Sequence, residues 1–173
     1  MKKITIVRSF LAAGLIASSI GTASAGDMYG GLSYAALKSD TGVGGVKPSV
    51  VYGSLGYMVN KNLAVEGRLG SGASDDTITT AGGPVTLKVN HYYGAYLKAI
   101  AVNGDFSVYG IAGWSGAKAT ASGGGVSVSD SETSGSFGIG MSAAVGKNAE
   151  FTAEWARIFK DTDGISLGMS FKF

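Results

Sequence analysis

The chain ends Ile165-Ser166-Leu167-Gly168-Met169-Ser170-Phe171-Lys172-Phe173. Every second residue of this stretch is large and apolar, and the residues between are small or charged. A period of two is the signature of a strand, because successive side chains of extended backbone point to opposite faces. One face is therefore wholly apolar up to the last residue, in a position where most domains fray. What that face touches decides the fold.

Working outward, the same alternation recurs through the chain after a distinct start. MKKITIVRSFLAAGLIASSIGTASA has a basic beginning, an apolar middle from Phe10 to Ile20 and a small-residue finish. This pattern predicts a secretory signal over residues 1–25, cleaved after Ala25. Its removal takes Lys2, Lys3 and Arg8 out of 14 basic residues, leaving 11 against 12 acidic ones. The remaining 148 of 173 residues are thus near neutral, which gives no reason to expect a nucleic-acid partner. They suffice for one domain, 26–173. With no cysteine, disulfides, thiolate metal sites and thiol nucleophiles are excluded. Charged residues are only 15% of the chain, below the roughly 25% of soluble domains. No apolar run beyond the leader reaches the 18 residues that a spanning helix requires.

Eight alternating segments follow, at 28–37, 49–59, 63–70, 86–102, 106–117, 135–145, 149–158 and 165–173. Their connections alternate between tight turns, such as Asn60-Lys61-Asn62, Asn103-Gly104-Asp105 and Gly146-Lys147-Asn148, and longer polar stretches at 38–48, 71–85, 118–134 and 159–164. A meander of this kind has its short turns at one end and its long loops at the other, as outer-membrane barrels do. The faces agree. In the sixth segment Phe137, Ile139, Met141 and Val145 alternate with Ser136, Gly138, Gly140 and Ser142. In the third and fourth, every charge falls on the parity of Glu66, Arg68, Lys88 and Lys98. An apolar face turned to lipid, with Gly, Ser and charged residues filling a narrow lumen, explains this composition. The expected fold is all-β, an eight-stranded antiparallel up-and-down transmembrane β-barrel.

Aromatic residues support the same arrangement. Phe106 and Trp114 lie eight residues apart on one face, roughly 20 Å along the membrane normal at a tilt near 40°. That spacing matches two interfacial girdles, with Tyr57, Phe151, Phe171 and Phe173 at the turn end and Tyr34, Tyr93 and Trp155 at the other. It requires Tyr109 and Ile111 to point inward. Arg157 has lipid-facing parity and either snorkels toward headgroups or is turned inward by a bulge.

These features (the signal, the eight alternating strands, NLAVEGRLG, HYYGAYLKA, FTAEWARIF and the terminal ISLGMSFKF) resemble the small outer-membrane β-barrel family of the OmpX, opacity-protein and OmpA-barrel type. The resemblance implies the outer membrane of a Gram-negative bacterium, with lipid, lipopolysaccharide and the barrel-assembly machinery as partners. It also implies that Ile165, Leu167, Met169, Phe171 and Phe173 carry the assembly signal. It leaves the biochemical role open.

Catalytic chemistry is sparse. The lone histidine, His91, has no second histidine to accompany it, and Ser136 and Ser142 face inward, so the acyl-transfer constellation of some lipid-modifying barrels is missing. Gly146-Lys147 lacks the rest of a phosphate loop, and Asp161, Asp163 and Gly164 lack the spacing of a calcium loop. No cofactor or metal is expected. The remaining cluster is ionic: Glu66, Arg68, Lys88, Lys98 and Glu154, with Glu150 and Lys172, on the inward parity. Buried charges persist when paired, which favours a salt-bridged plug over a narrow ion path. The expectation is a non-enzymatic barrel, structural or displaying loops for adhesion or binding of an extracellular ligand. A low-conductance pore for small solutes or ions is the alternative, and a soluble lipocalin-like carrier is a third reading.

Overall fold

A computed structural model describes residues 28–40, 45–80, 83–102 and 104–173. The expected signal sequence and its cleavage site after Ala25 lie outside the described residues. Eight long strands follow one another: β1 (Met28–Asp40), β2 (Ser49–Asn60), β3 (Leu63–Ser74), β4 (Gly83–Val102), β5 (Phe106–Gly123), β6 (Val126–Ala144), β7 (Ala149–Phe159) and β8 (Thr162–Lys172). Each pairs antiparallel with its neighbour in sequence, and β8 returns to pair with β1 from Tyr29↔Lys172 to Ser39↔Thr162. The barrel is closed, so no backbone edge meets hydrocarbon. Two short strands, Gly45–Val46 and Asp76–Thr80, extend the upper ends of β1 and β4.

Closure answers the puzzle of the last residue. β8 is hydrogen-bonded on both sides, and the Phe173 amide donates to the Met28 carbonyl at 3.1 Å. Its large side chains all point outward; Leu167 is 51% exposed and Phe173 56%. So do Leu32, Leu55, Leu69, Leu97, Phe106, Trp114, Phe137, Ile139, Met141 and Phe151. The inward parity carries Tyr29, Tyr52, Glu66, Arg68, Tyr96, Tyr109, Ile111, Ser136, Ser142 and Glu154, all buried.

Three departures from the sequence reading matter. The 118–134 stretch, expected as a loop, is strand almost to its tip: β5 and β6 stay in register from Phe106↔Ala143 to Gly123↔Val126. Gly124 and Gly125, with φ of +58° and +80°, make the two-residue turn, a conformation that matches hairpin twist and that side chains disfavour. Likewise 159–164 shrinks to the turn Lys160-Asp161, and 71–85 holds the strand pairing of Asp76–Thr80 with β4. Second, a bulge in β4 between Val89 and His91 reverses the side-chain parity above it. Val89 turns inward and is buried, and Lys88 turns outward and is exposed. Third, the lumen is not polar throughout. Above the ionic layer, Ala35, Leu37, Val50, Val89, Ala156, Ile158 and Phe159 close the interior toward the long-hairpin end with an apolar cluster, which Tyr52 and Tyr92 edge.

Candidate functional site

Glu66 and Arg68 are brought to the lumen by β3, whose alternate residues Ala64, Glu66 and Arg68 are all buried. Glu154 comes from β7, four strands away in either direction, so the contact between Arg68 and Glu154 spans the barrel's diameter. The Arg68 guanidinium donates through Nη1 and Nη2 to Oε1 and Oε2 of Glu154 at 2.6 and 2.8 Å, and through Nε to Glu66 Oε1 at 2.7 Å. Glu66 Oε2 accepts from the Tyr29 hydroxyl at 2.6 Å. The guanidinium also lies over the rings of Tyr96 and Tyr52, 4.5 and 5.2 Å from their centroids. Forked carboxylate recognition and ring stacking are what Arg, not Lys, can satisfy together. Among the described residues no buried side-chain nitrogen or oxygen is left without a partner.

Of the expected ionic group, then, Glu66, Arg68 and Glu154 meet. Lys98 is inward too, one row from Glu66. In register it stands opposite Ala64 rather than Glu66, and its ammonium lies 3.9 Å from the centre of the Tyr109 ring and 5.3 Å from that of Tyr29. Lys88 leaves the group through the bulge described above. Glu150 and Lys172 pair with each other at the short-turn rim. Two cavities of about 20 Å³ each flank Arg68, each with room for about one water. Tyr109 and Ile111 point inward, as the girdle argument required. Arg157 stays outside and is paired with Asp163 at 2.8 Å on the adjacent strand. That choice was invisible in the sequence, where Asp163 fell within the polar 159–164 connection.

The outer wall is ordered in rows. Cross-strand partners share a face, and on β4, β5 and β6 they ascend as Leu97–Ala112–Phe137, Ala95–Trp114–Gly135, Tyr93–Gly116–Thr133, His91–Lys118–Ser131 and Lys88–Thr120–Ser129. The first rows are apolar and aromatic, the next cationic, and the last belongs to a hydroxyl ladder. In that ladder Asn90 Nδ2 donates to Thr120 Oγ1 at 2.7 Å, and Thr120 and Ser129 share a bond of 2.8 Å; Ser122 and Ser127 meet at 2.9 Å and Thr77 and Thr86 at 2.9 Å. Above Phe137↔Arg157 the β6–β7 ladder ends. Ser136 and Ser115 donate to the carbonyls of Arg157 and Ile158, both at 2.8 Å. From there to its tip, β6 has no strand on its other edge among the described residues.

This architecture can be set beside known proteins. The family model for the outer membrane protein beta-barrel domain matches residues 9–173. The chain belongs to this family. Solved structures agree in fold. Ail, the attachment invasion locus protein of Yersinia pestis, is 22% identical over 86% of this chain and 99% of its own, with a TM-score of 0.60. Neisserial surface protein A is 19% identical over 88% and 100%, with a TM-score of 0.62. OprG of Pseudomonas aeruginosa is 12% identical over 87% and 97%, with a TM-score of 0.59. Ail has also been solved in complex with the heparin analogue sucrose octasulfate. No curated protein matches the chain by sequence. As a member of the outer-membrane barrel family, the protein resides in the outer membrane of a Gram-negative cell, its exposed apolar wall against lipid.

Proposed function

We propose that this barrel is a non-enzymatic display scaffold: a plugged cylinder that holds a stiff polar sheet outside the cell for binding or adhesion. The observation that carries this is the length of β4, β5 and β6, at 20, 18 and 19 residues. A spanning strand needs only about 9 to 11. The surplus is hydrogen-bonded strand, and the upper edge of β6 has no strand paired to it among the described residues, a surface on which an extended segment of a partner can add. The interior supports the same reading, since an ion pair spans the diameter, an apolar layer lies above it, and the two cavities beside Arg68 each have room for about one water. The low-conductance pore stands as the alternative; planar-bilayer recordings are expected to show no current steps, and regular steps from the unaltered protein would favour it.

Export with cleavage after Ala25 belongs to this proposal, as do lipopolysaccharide at the outer wall and Ile165, Leu167, Met169, Phe171 and Phe173 as the assembly signal read by the barrel-assembly machinery. N-terminal sequencing of the membrane form should begin at Gly26. The displayed ligand is tested first with an anionic glycan, the class suggested by the Ail complex. Cells carrying the full barrel should adhere to a heparin-coated surface. Replacing 117–132 by a two-residue Asn-Gly turn should abolish adhesion while the barrel still shifts on a detergent gel when boiled. Undiminished adhesion by the truncated form would refute display by this hairpin.

A further inference from the structure

The row order of the outer wall contains more than a membrane boundary. His91 and Lys118 are direct cross-strand partners, and Lys88 stands one row higher, beside the same strand as Lys118. All three are exposed on the outside of the barrel. Lys88 reaches that face only because of the bulge at Val89–His91; a regular strand would have turned it toward the lumen. Beneath them lies a built shelf. The Tyr93 ring crosses β5 over Gly116, where a Cβ would come within 2.2 Å of Tyr93 Cζ. Its hydroxyl meets Thr133 Oγ1 on β6 at 3.0 Å. Beside the shelf, Leu69 is the cross-strand partner of Tyr93 and is 73% exposed, and one row below it Trp114 is 69% exposed.

The geometry points to a binding site for a phosphorylated glycolipid of the outer leaflet, its phosphate held by Lys88, His91 and Lys118 and its acyl chains lying against Tyr93, Trp114 and Leu69. The juxtaposition is what commits the occupant. A soluble anion would use the cations but not the apolar wall directly beneath, and a neutral lipid would use the wall but not the cations. Successive rows rise about 5 Å along the normal at the usual strand rise and tilt, so His91 and Lys118 sit one row above the shelf and Lys88 two, at headgroup depth. Lysines at such a surface attract anionic headgroups and Tyr and Trp anchor at the same level. The inference deepens the lipopolysaccharide partnership proposed above and rests on it; it is independent of the ligand displayed by the hairpin.

The test is a native mass-spectrometric titration of the folded full barrel in detergent micelles, with bisphosphorylated lipid A as probe and its dephosphorylated counterpart, bearing the same acyl chains, as comparison. The barrel is expected to retain the phosphorylated lipid. At roughly fivefold per basic residue near an anionic surface, the double variant Lys88→Ser, Lys118→Ser should bind it about twenty-five-fold more weakly. Lys61→Ser with Lys147→Ser, at the short-turn end, should bind as the unaltered protein does. Gel migration with and without boiling reports folding of each variant separately, so loss of the barrel and loss of the site are told apart. Equal affinity of the folded Lys88→Ser, Lys118→Ser form, equal retention of the dephosphorylated lipid, or no retention of either lipid would overturn the inference.

Discussion

The wall of this barrel within the membrane and its continuation above it are the same strands with opposite polarity. Below the row of Tyr93, the outside carries Leu97, Phe137 and Trp114 and the inside carries Arg68, Glu66 and Glu154. Above it, the outside carries Lys88, Lys118, Thr120 and Ser129. The lumen-side parity there carries Val85, Leu87, Ala119 and Ala121, with Val126 and Val128 more than 60% exposed. β5 and β6 cross the boundary without a break in register, so the inversion lies in the choice of residues and not in the backbone. In β4 it is helped by one bulge. The difference teaches that side-chain alternation alone does not say which face is greasy: the solvent does, and the row at which the faces exchange marks the water line.

The comparison can be broken most forcefully at the lumen. Arg68→Ala would leave Glu66 and Glu154 buried without the cation that hydrogen-bonds them both and should lower stability by about 3 to 5 kcal/mol; Val128→Ala, on the same side but above the boundary, should change it by less than about 0.5 kcal/mol. Urea unfolding in phospholipid vesicles, followed by tryptophan fluorescence, measures both. Similar losses would mean that the ionic layer is not a desolvated core.

Next in size is a charge on the outer face. Leu167→Arg, in the lipid-facing part of β8, is expected to cost about 2 to 4 kcal/mol near the midplane, and Ser129→Arg no more than about 0.5 kcal/mol. Yields of heat-modifiable barrel from cells give the ranking independently, and equal tolerance of the two would place the water line wrongly. The inward alternative, Ser170→Arg, should also be borne better than Met169→Arg.

Smaller effects sharpen the picture of the extension. Gly124→Ala puts a side chain at a φ of +58° and should cost about 1 kcal/mol, seen as a severalfold faster cut of the hairpin by external protease. A flexible loop would show no change. Thr120→Val removes both the bond from Asn90 and the one with Ser129. A loss of about 0.5 to 1 kcal/mol would appear as faster hydrogen exchange confined to the strands around 118–131.

Much of this was legible in the sequence, for physical reasons that differ along the chain. Every lipid-facing position of β6 and β8 could be read directly, because hydrocarbon demands an apolar residue at every second place. Arg68 and Glu154 were placed in the lumen by parity. Their mutual pairing was not, since it joins strands far apart in sequence and depends on the diameter and stagger of a closed sheet. Lys98 was placed in the lumen by the same parity, but its seat against the Tyr109 and Tyr29 rings depends on register that the sequence does not display. Lys88 was assigned to the wrong face because a bulge inserts a residue without any marker in HYYGAYLKA or the residues before it. The hairpin was mistaken for a loop because its composition is that of turns, although Ala117, Ala119, Ala121, then Val126 and Val128, repeat with the strand period on either side of Gly124-Gly125.

That two-glycine tip has a practical meaning. A connection of two residues between registered strands gives the far end of the molecule a fixed address relative to the bilayer, roughly 20 Å above the Tyr93 row by the rise and tilt of the intervening residues. A short foreign sequence spliced between Gly124 and Gly125 would be carried on a mast instead of a tether, with its height and heading set by the cylinder below.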